Sequence, residues 1–77
     1  MPTILIINGY RFFFYINDHK PPHIHIEKDN KTAKYNLEPI SLVFSKGFNS
    51  SELKKIKAIT EANLELFKQK WHECFNR

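Results

Sequence analysis

Thr3-Ile4-Leu5-Ile6-Ile7-Asn8-Gly9-Tyr10-Arg11-Phe12-Phe13-Phe14-Tyr15-Ile16 is the stretch that decides the fold. Two runs of β-branched, aliphatic and aromatic residues flank Asn8-Gly9, and a type I′ turn needs positive φ at both central residues, which Asn and Gly accept most readily. The pattern predicts a hairpin, with one strand over 3–7 and the next over 10–16. In the second strand the two-residue period puts Tyr10, Phe12, Phe14 and Ile16 on one face and Arg11, Phe13 and Tyr15 on the other. Both faces are aromatic. That describes either a central strand covered on both sides or an aromatic surface open to bases or a protein partner.

Outward from the hairpin, 23–27 reads as a third strand with Ile24 and Ile26 inward and His23, His25 and Glu27 on the opposite face. Asp29-Asn30 turns the chain into a fourth strand over 32–37. Pro39 cannot donate to a ladder, so 40–45 is either a strand beginning after it or an extended edge segment. The character changes near Phe48. Asn49 is placed to cap a helix with Glu52 reaching back from the third helical position, and Phe48 to meet Leu53 as a hydrophobic staple. Neither Pro nor Gly interrupts the chain from there to Phe75, and Leu53, Ile56, Leu64, Phe67, Trp71 and Phe75 recur at three- and four-residue steps. This projects one apolar stripe along a helix of about seven turns. Asn63 sits at the stripe's border, where its amide needs a hydrogen bond or marks a break between two shorter helices. The reading is a single α+β domain over 1–77: an antiparallel sheet of four to five strands packed on one face by a long C-terminal helix, whole or in two pieces.

With 77 residues, 42% hydrophobic and 26% charged, the chain has room for one core. A domain this small buries only about 60–65% of the surface of its unfolded chain, so a ligand or another subunit is an expected source of added stability. Cys74 is the lone cysteine, which excludes an intrachain disulfide and a thiolate zinc site and fits a reducing, cytoplasmic setting. Ile4-Leu5-Ile6-Ile7 falls far short of the roughly 20 apolar residues that span a bilayer and follows no basic segment, so neither secretion nor membrane insertion is expected. The net charge of +4 suits RNA, DNA or an acidic partner, and equally suits plain solubility; Lys54, Lys55 and Lys57 form its densest patch. Gly9 and Gly47 belong to separate turns, which excludes a Gly-rich phosphate cradle. His72 and Cys74 are two apart on the expected helix and so leave different faces, which argues against a nucleophilic pair.

One segment concentrates chemistry: Asn17-Asp18-His19-Lys20-Pro21-Pro22-His23-Ile24-His25-Ile26-Glu27. Imidazole titrates near neutral pH and is the commonest metal ligand. His23 and His25 leave the same strand face, Glu27 extends the row, and the two prolines stiffen the approach that carries Asp18 and His19. As a metal site, His23 and His25 with His19, Asp18 or Glu27 supply three ligands to Zn²⁺, Ni²⁺ or Fe²⁺ and leave an open position. As a metal-free site, His19, His23 and His25 are the candidate acid and base on an RNA 2′-hydroxyl, with Arg11 or Lys20 countering phosphate charge. As a binding surface, Arg11, Phe13, Tyr15, Asp18 and Lys20 make the contacts. In the plainest reading the histidines pack sideways against Phe13 or Tyr15 and the prolines only shape a turn.

Gly9-Tyr10-Arg11-Phe12-Phe13-Phe14-Tyr15 followed by that tract resembles a family of small bacterial proteins known as domain of unknown function forty-one sixty. Ala33-Lys34, Gly47-Phe48 and Trp71 extend the likeness over nearly the whole chain. The resemblance implies a bacterial or phage origin and a gene beside another very small gene, an arrangement suggesting a toxin–antitoxin-like module. A small cognate protein, or a second copy of this chain, is then the expected partner. No activity transfers with the likeness. Two functions stand: a module component whose histidine cluster binds a divalent transition metal or processes RNA, and a non-enzymatic protein- or nucleic-acid-binding module in which the histidines are structural.

Overall fold

In the computed structural model, which describes residues 3–15 and 18–75, the hairpin forms as the Asn-Gly signal demands. β1 (Thr3–Ile7) and β2 (Tyr10–Phe13) are joined through Asn8 at φ 53° and Gly9 at φ 81°, both in the left-handed region of a type I′ turn. β3 (His23–Lys28), β4 (Lys31–Leu37) and β5 (Ile40–Lys46) each run one residue further than the alternation alone requires. The five strands form one antiparallel sheet in chain order, β1-β2-β3-β4-β5. Asp29 takes φ 57° in the turn between β3 and β4, a conformation short polar side chains tolerate. β5 starts directly after Pro39 and is an edge strand, where a missing donor disturbs the ladder least.

β2 is shorter than the expected 10–16. Past Phe13 the backbone leaves the ladder for a local turn: the Tyr15 N–H donates to Asp18 Oδ2 at 2.9 Å and the Asp18 N–H returns to the Tyr15 carbonyl at 3.2 Å. Such side-chain competition for backbone groups is how Asp ends a strand. Ile16, the last residue of the expected strand, lies outside the described residues.

The C-terminal helix is divided into α1 (Ser50–Ala62) and α2 (Leu64–Phe75). Asn49 Oδ1 accepts the Glu52 N–H at 2.8 Å while Glu52 Oε1 accepts the Asn49 N–H at 3.2 Å, the reciprocal box read from the sequence. Asn63 both finds hydrogen bonds and breaks the helix. Its amide donates to the Ile59 carbonyl at 2.9 Å and its N–H is shared between Ile59 and Thr60, while its own carbonyl accepts the Phe67 N–H and starts α2. No helix among the described residues is long and apolar enough to cross a membrane.

The core lies between the helices and one sheet face. Tyr10, Phe12, Phe14, Ile24, Ile26, Ala33, Tyr35 and Leu37 point inward from the sheet, and Phe48, Ile56, Phe67 and Trp71 meet them. Phe12 stacks on Phe67 with ring centroids 5.3 Å apart, and Phe14 meets Trp71 edge-on at the same distance. Truncating such a buried ring to Ala costs about 3–5 kcal/mol, so these pairs seat α2 firmly. On the other face the register aligns Phe13, His25, Lys34 and Phe44 in one row across β2 to β5, and Arg11, Glu27 and Thr32 in the next.

Lys31 Nζ lies 2.9 Å from Glu52 Oε2, and this contact, with the Asn49 N–H, holds the Glu52 carboxyl below its ordinary value. A lowered folded-state value means a contribution that is present above the unfolded-state carboxyl range and lost as pH falls through the folded value. Asn49→Ala is expected to lower stability in urea unfolding by about 1 kcal/mol. The advantage of wild type over Glu52→Gln is expected at neutral pH and to vanish on acidification through the carboxylate range; an advantage that survives full protonation would contradict the ion pair.

Candidate functional site

Three side chains from two short segments converge at the end of the sheet where β3 begins. His23 and His25 are two apart on β3, and Asp18 comes from the turn after β2, held by the Tyr15 N–H. Asp18 Oδ1 lies 3.2 Å from His23 Nε2, and His25 Nε2 lies 3.3 Å from both Asp18 oxygens. The three ligand atoms are all within 4.8 Å of one another, and among the described residues this is the group of His, Cys, Asp or Glu side chains able to share an ion. The Pro22 carbonyl accepts the Leu37 N–H at 3.0 Å, tying the loop to β4 just before the first histidine.

His23 is 4% exposed, with its ring 4.9 Å from Trp71 and nearly perpendicular to His25 at 5.0 Å. Its Nδ1 lies 2.8 Å from the Pro21 carbonyl, which can only accept, so Nδ1 carries a proton and donates it. Nε2 then faces the Asp18 carboxylate, buried and with no hydrogen bond of acceptable geometry. An imidazole lone pair against a carboxylate oxygen is repulsive, and either a proton on Nε2 or a cation between the two groups relieves it. His25 packs between Phe13, stacked at 5.5 Å, and Tyr15, edge-on at 4.6 Å. Burial lowers the His25 value against the opposing pull of Asp18, which favours the neutral ring that metal ligation requires. Burial acting alone would raise the Asp18 carboxyl, but hydrogen bonding, from the Tyr15 N–H foremost, holds it below its ordinary value, as a carboxylate.

Of the other residues singled out in the sequence, Phe13 and Tyr15 pack against His25, whereas His19, Lys20, Arg11 and Glu27 are not part of the ligand group. His19 and Lys20 are exposed on the loop. Glu27 accepts from Arg11 Nη2 at 2.7 Å, and Arg11 also donates to Thr3 and lies 4.1 Å over the Phe13 ring. Arg11 is thus already engaged. Phe13, only 3% exposed, is covered by Arg11, Tyr15 and His25, whereas Tyr15 keeps 46% of its surface open. Three contributors carry no site signal in the sequence. Trp71 belonged to the helix stripe, and Lys34 becomes a neighbour of His25 only through the β3–β4 register. The Pro21 carbonyl is a third, since the prolines were read as stiffeners alone.

Acid–base cleavage by a histidine pair needs two imidazoles, each with a nitrogen open to substrate. His23 has one nitrogen on Pro21 and the other against Asp18 inside a buried contact. His25 Nδ1 has no hydrogen-bond partner among the described residues, so the cluster offers one base to an outside molecule, or three ligands to a metal ion.

The family described as domain of unknown function (DUF4160) matches residues 9–72. No curated protein matches the chain, and no solved structure does.

Long-range ¹H–¹⁵N correlation spectra at neutral pH are expected to show the His23 proton on Nδ1, slowed in exchange by its bond to Pro21. A His23 protonated at Nε2 alone would remove the lone pair from the cluster.

Proposed function

We propose that this chain, which belongs to the DUF4160 family of domains of unknown function, binds a divalent transition-metal ion between His23 Nε2, His25 Nε2 and the Asp18 carboxylate. The observation that carries this reading is the buried Nε2 of His23, aimed at a carboxylate with no hydrogen bond while its Nδ1 donates to a backbone carbonyl. Metal-bound imidazoles are oriented in this manner, by an outer partner on the opposite nitrogen. Leaving such a group unsatisfied costs about 1–3 kcal/mol, a penalty that an ion at this position offsets.

Distances support the fit. Two ligand atoms bound tetrahedrally at about 2.1 Å stand about 3.4 Å apart. The spacings from Asp18 to both histidines are 3.2–3.3 Å, and the two imidazole nitrogens lie within 4.8 Å of each other, so the remaining adjustment is a closure between the two rings. Two histidines and one carboxylate leave coordination positions free, which is the donor set of hydrolytic zinc and non-haem iron centres rather than of closed structural sites. In the two-gene, toxin–antitoxin-like setting that the family resemblance implies, this centre is the working part of the module, with RNA among its candidate substrates.

A second reading has its own support. With Asp18 held by the Tyr15 N–H, its 3.3 Å contact with His25 Nε2 favours a polar pin that fastens the loop to β3 without any ion, and exposed Lys54, Lys55 and Lys57 favour a non-enzymatic module that binds nucleic acid or an acidic protein. Element analysis of untagged protein incubated with zinc, nickel or ferrous salts separates the two. One equivalent of metal is expected in wild type, with Asp18→Asn and His23→Ala each weakening uptake by more than about 100-fold while circular dichroism stays native. Metal-free wild type, with variants that only lose stability, would leave the pin.

A further inference from the structure

Resting on that metal reading, we propose that the open side of the centre receives an oxyanion of the phosphate class, bridged between the bound ion and the Lys34 ammonium. Lys34 stands directly opposite His25 in the β3–β4 ladder and shares its face of the sheet. Opposed residues have Cβ atoms about 5 Å apart, within easy reach of a lysine stem.

The surrounding charges leave an anion wanting. Glu27, the carboxylate two residues along β3, is held by Arg11 at 2.7 Å, so this pair is internally balanced. No carboxylate lies within ion-pair distance of Lys34 among the described residues. His19 and Lys20, on the loop that bears Asp18, are exposed and add no negative charge. Once a divalent ion is bound, it and Lys34 together outweigh the single charge of Asp18. Like charges held this close on one face are repulsive unless an anion lies between them. A phosphoryl group satisfies both, with one oxygen on the metal and another accepting from the ammonium, the point-charge role lysine takes with phosphates. The half-exposed Tyr15 ring, edge-on to His25, offers an apolar surface beside that ligand to the organic part of a phosphate ester.

The test uses the full chain loaded with cobalt(II), whose visible absorption reports its ligands, titrated separately with inorganic phosphate, phenyl phosphate and acetate. Phosphate and phenyl phosphate are expected to shift the cobalt spectrum and acetate to do so only weakly; tighter binding of the ester than of the free ion would assign the ligand to phosphate esters. Lys34→Met is expected to keep its cobalt and lose about tenfold in phosphate affinity, with Lys34→Arg retaining most of it. If Lys34→Met fails to fold, Lys34→Gln takes its place, and paramagnetic broadening of the phosphate ³¹P signal by wild-type protein gives an independent measure. Cobalt that binds but ignores both phosphates, or acetate acting as well as they do, overturns the oxyanion and leaves the metal reading standing. Equal phosphate affinity in Lys34→Met and wild type overturns the bridging role. Wild type that takes up no cobalt removes the metal reading, and this inference with it.

Discussion

Arg11, Phe12 and Phe13 stand opposite Glu27, Ile26 and His25, and this β2–β3 register is the constraint on which the rest of the molecule depends. Because side chains alternate with a period of two, a one-residue slip of β2 against β3 would turn Phe12 to solvent and set Arg11 and Phe13 on the helical side. In the observed register Phe12 of β2 stacks on Phe67 of α2, and Phe14, just past the strand, meets Trp71. The Arg11–Glu27 ion pair and the Phe13–His25 stack are satisfied at the same time on the other face. Core and site therefore specify one alignment together, which is the mutual consistency that gives a small chain a single native state.

The same register explains why the histidine cluster lies where it does. His23 opens β3 at the end of the sheet, where α2 passes over it and Trp71 closes one side of its ring. The turn after β2 returns Asp18 to this corner, with its own backbone bonds to Tyr15 keeping the carboxylate in place. Burial of His23 in this corner strengthens each electrostatic interaction that it makes, and an unpartnered nitrogen there is correspondingly costly. This is the reason that one atom, His23 Nε2, bears so much weight in the functional reading.

At the far edge the chain deals differently with exposed apolar surface. Leu42, Val43 and Phe44 lie on β5, yet the ladder passes from Phe44 opposite Lys34 to Leu42 opposite Tyr35, which leaves Val43 as the extra residue of a bulge. A bulge twists the strand and interrupts the alternation, so the edge presents no regular template to a second β-strand.

Much of this was readable from the chain, because it rests on local physics. Asn8-Gly9 dictates its turn by backbone sterics, Asn49 and Glu52 close their box within one helical turn, and Asn63 breaks the stripe with a bond to its own preceding turn. The period of a strand likewise places His23 and His25 on one face. Which third group joins them was another matter. His19, Asp18 and Glu27 were equivalent as neighbours in sequence, and the choice of Asp18 came from a turn that folds back onto β3 and from a register that commits Glu27 to Arg11. The burial of Phe13 and the approach of Lys34 to His25 arose in the same way, from pairing between strands. Periodicity assigns a side chain to a face, but only tertiary structure sets the distance between segments whose separation along the chain leaves it free.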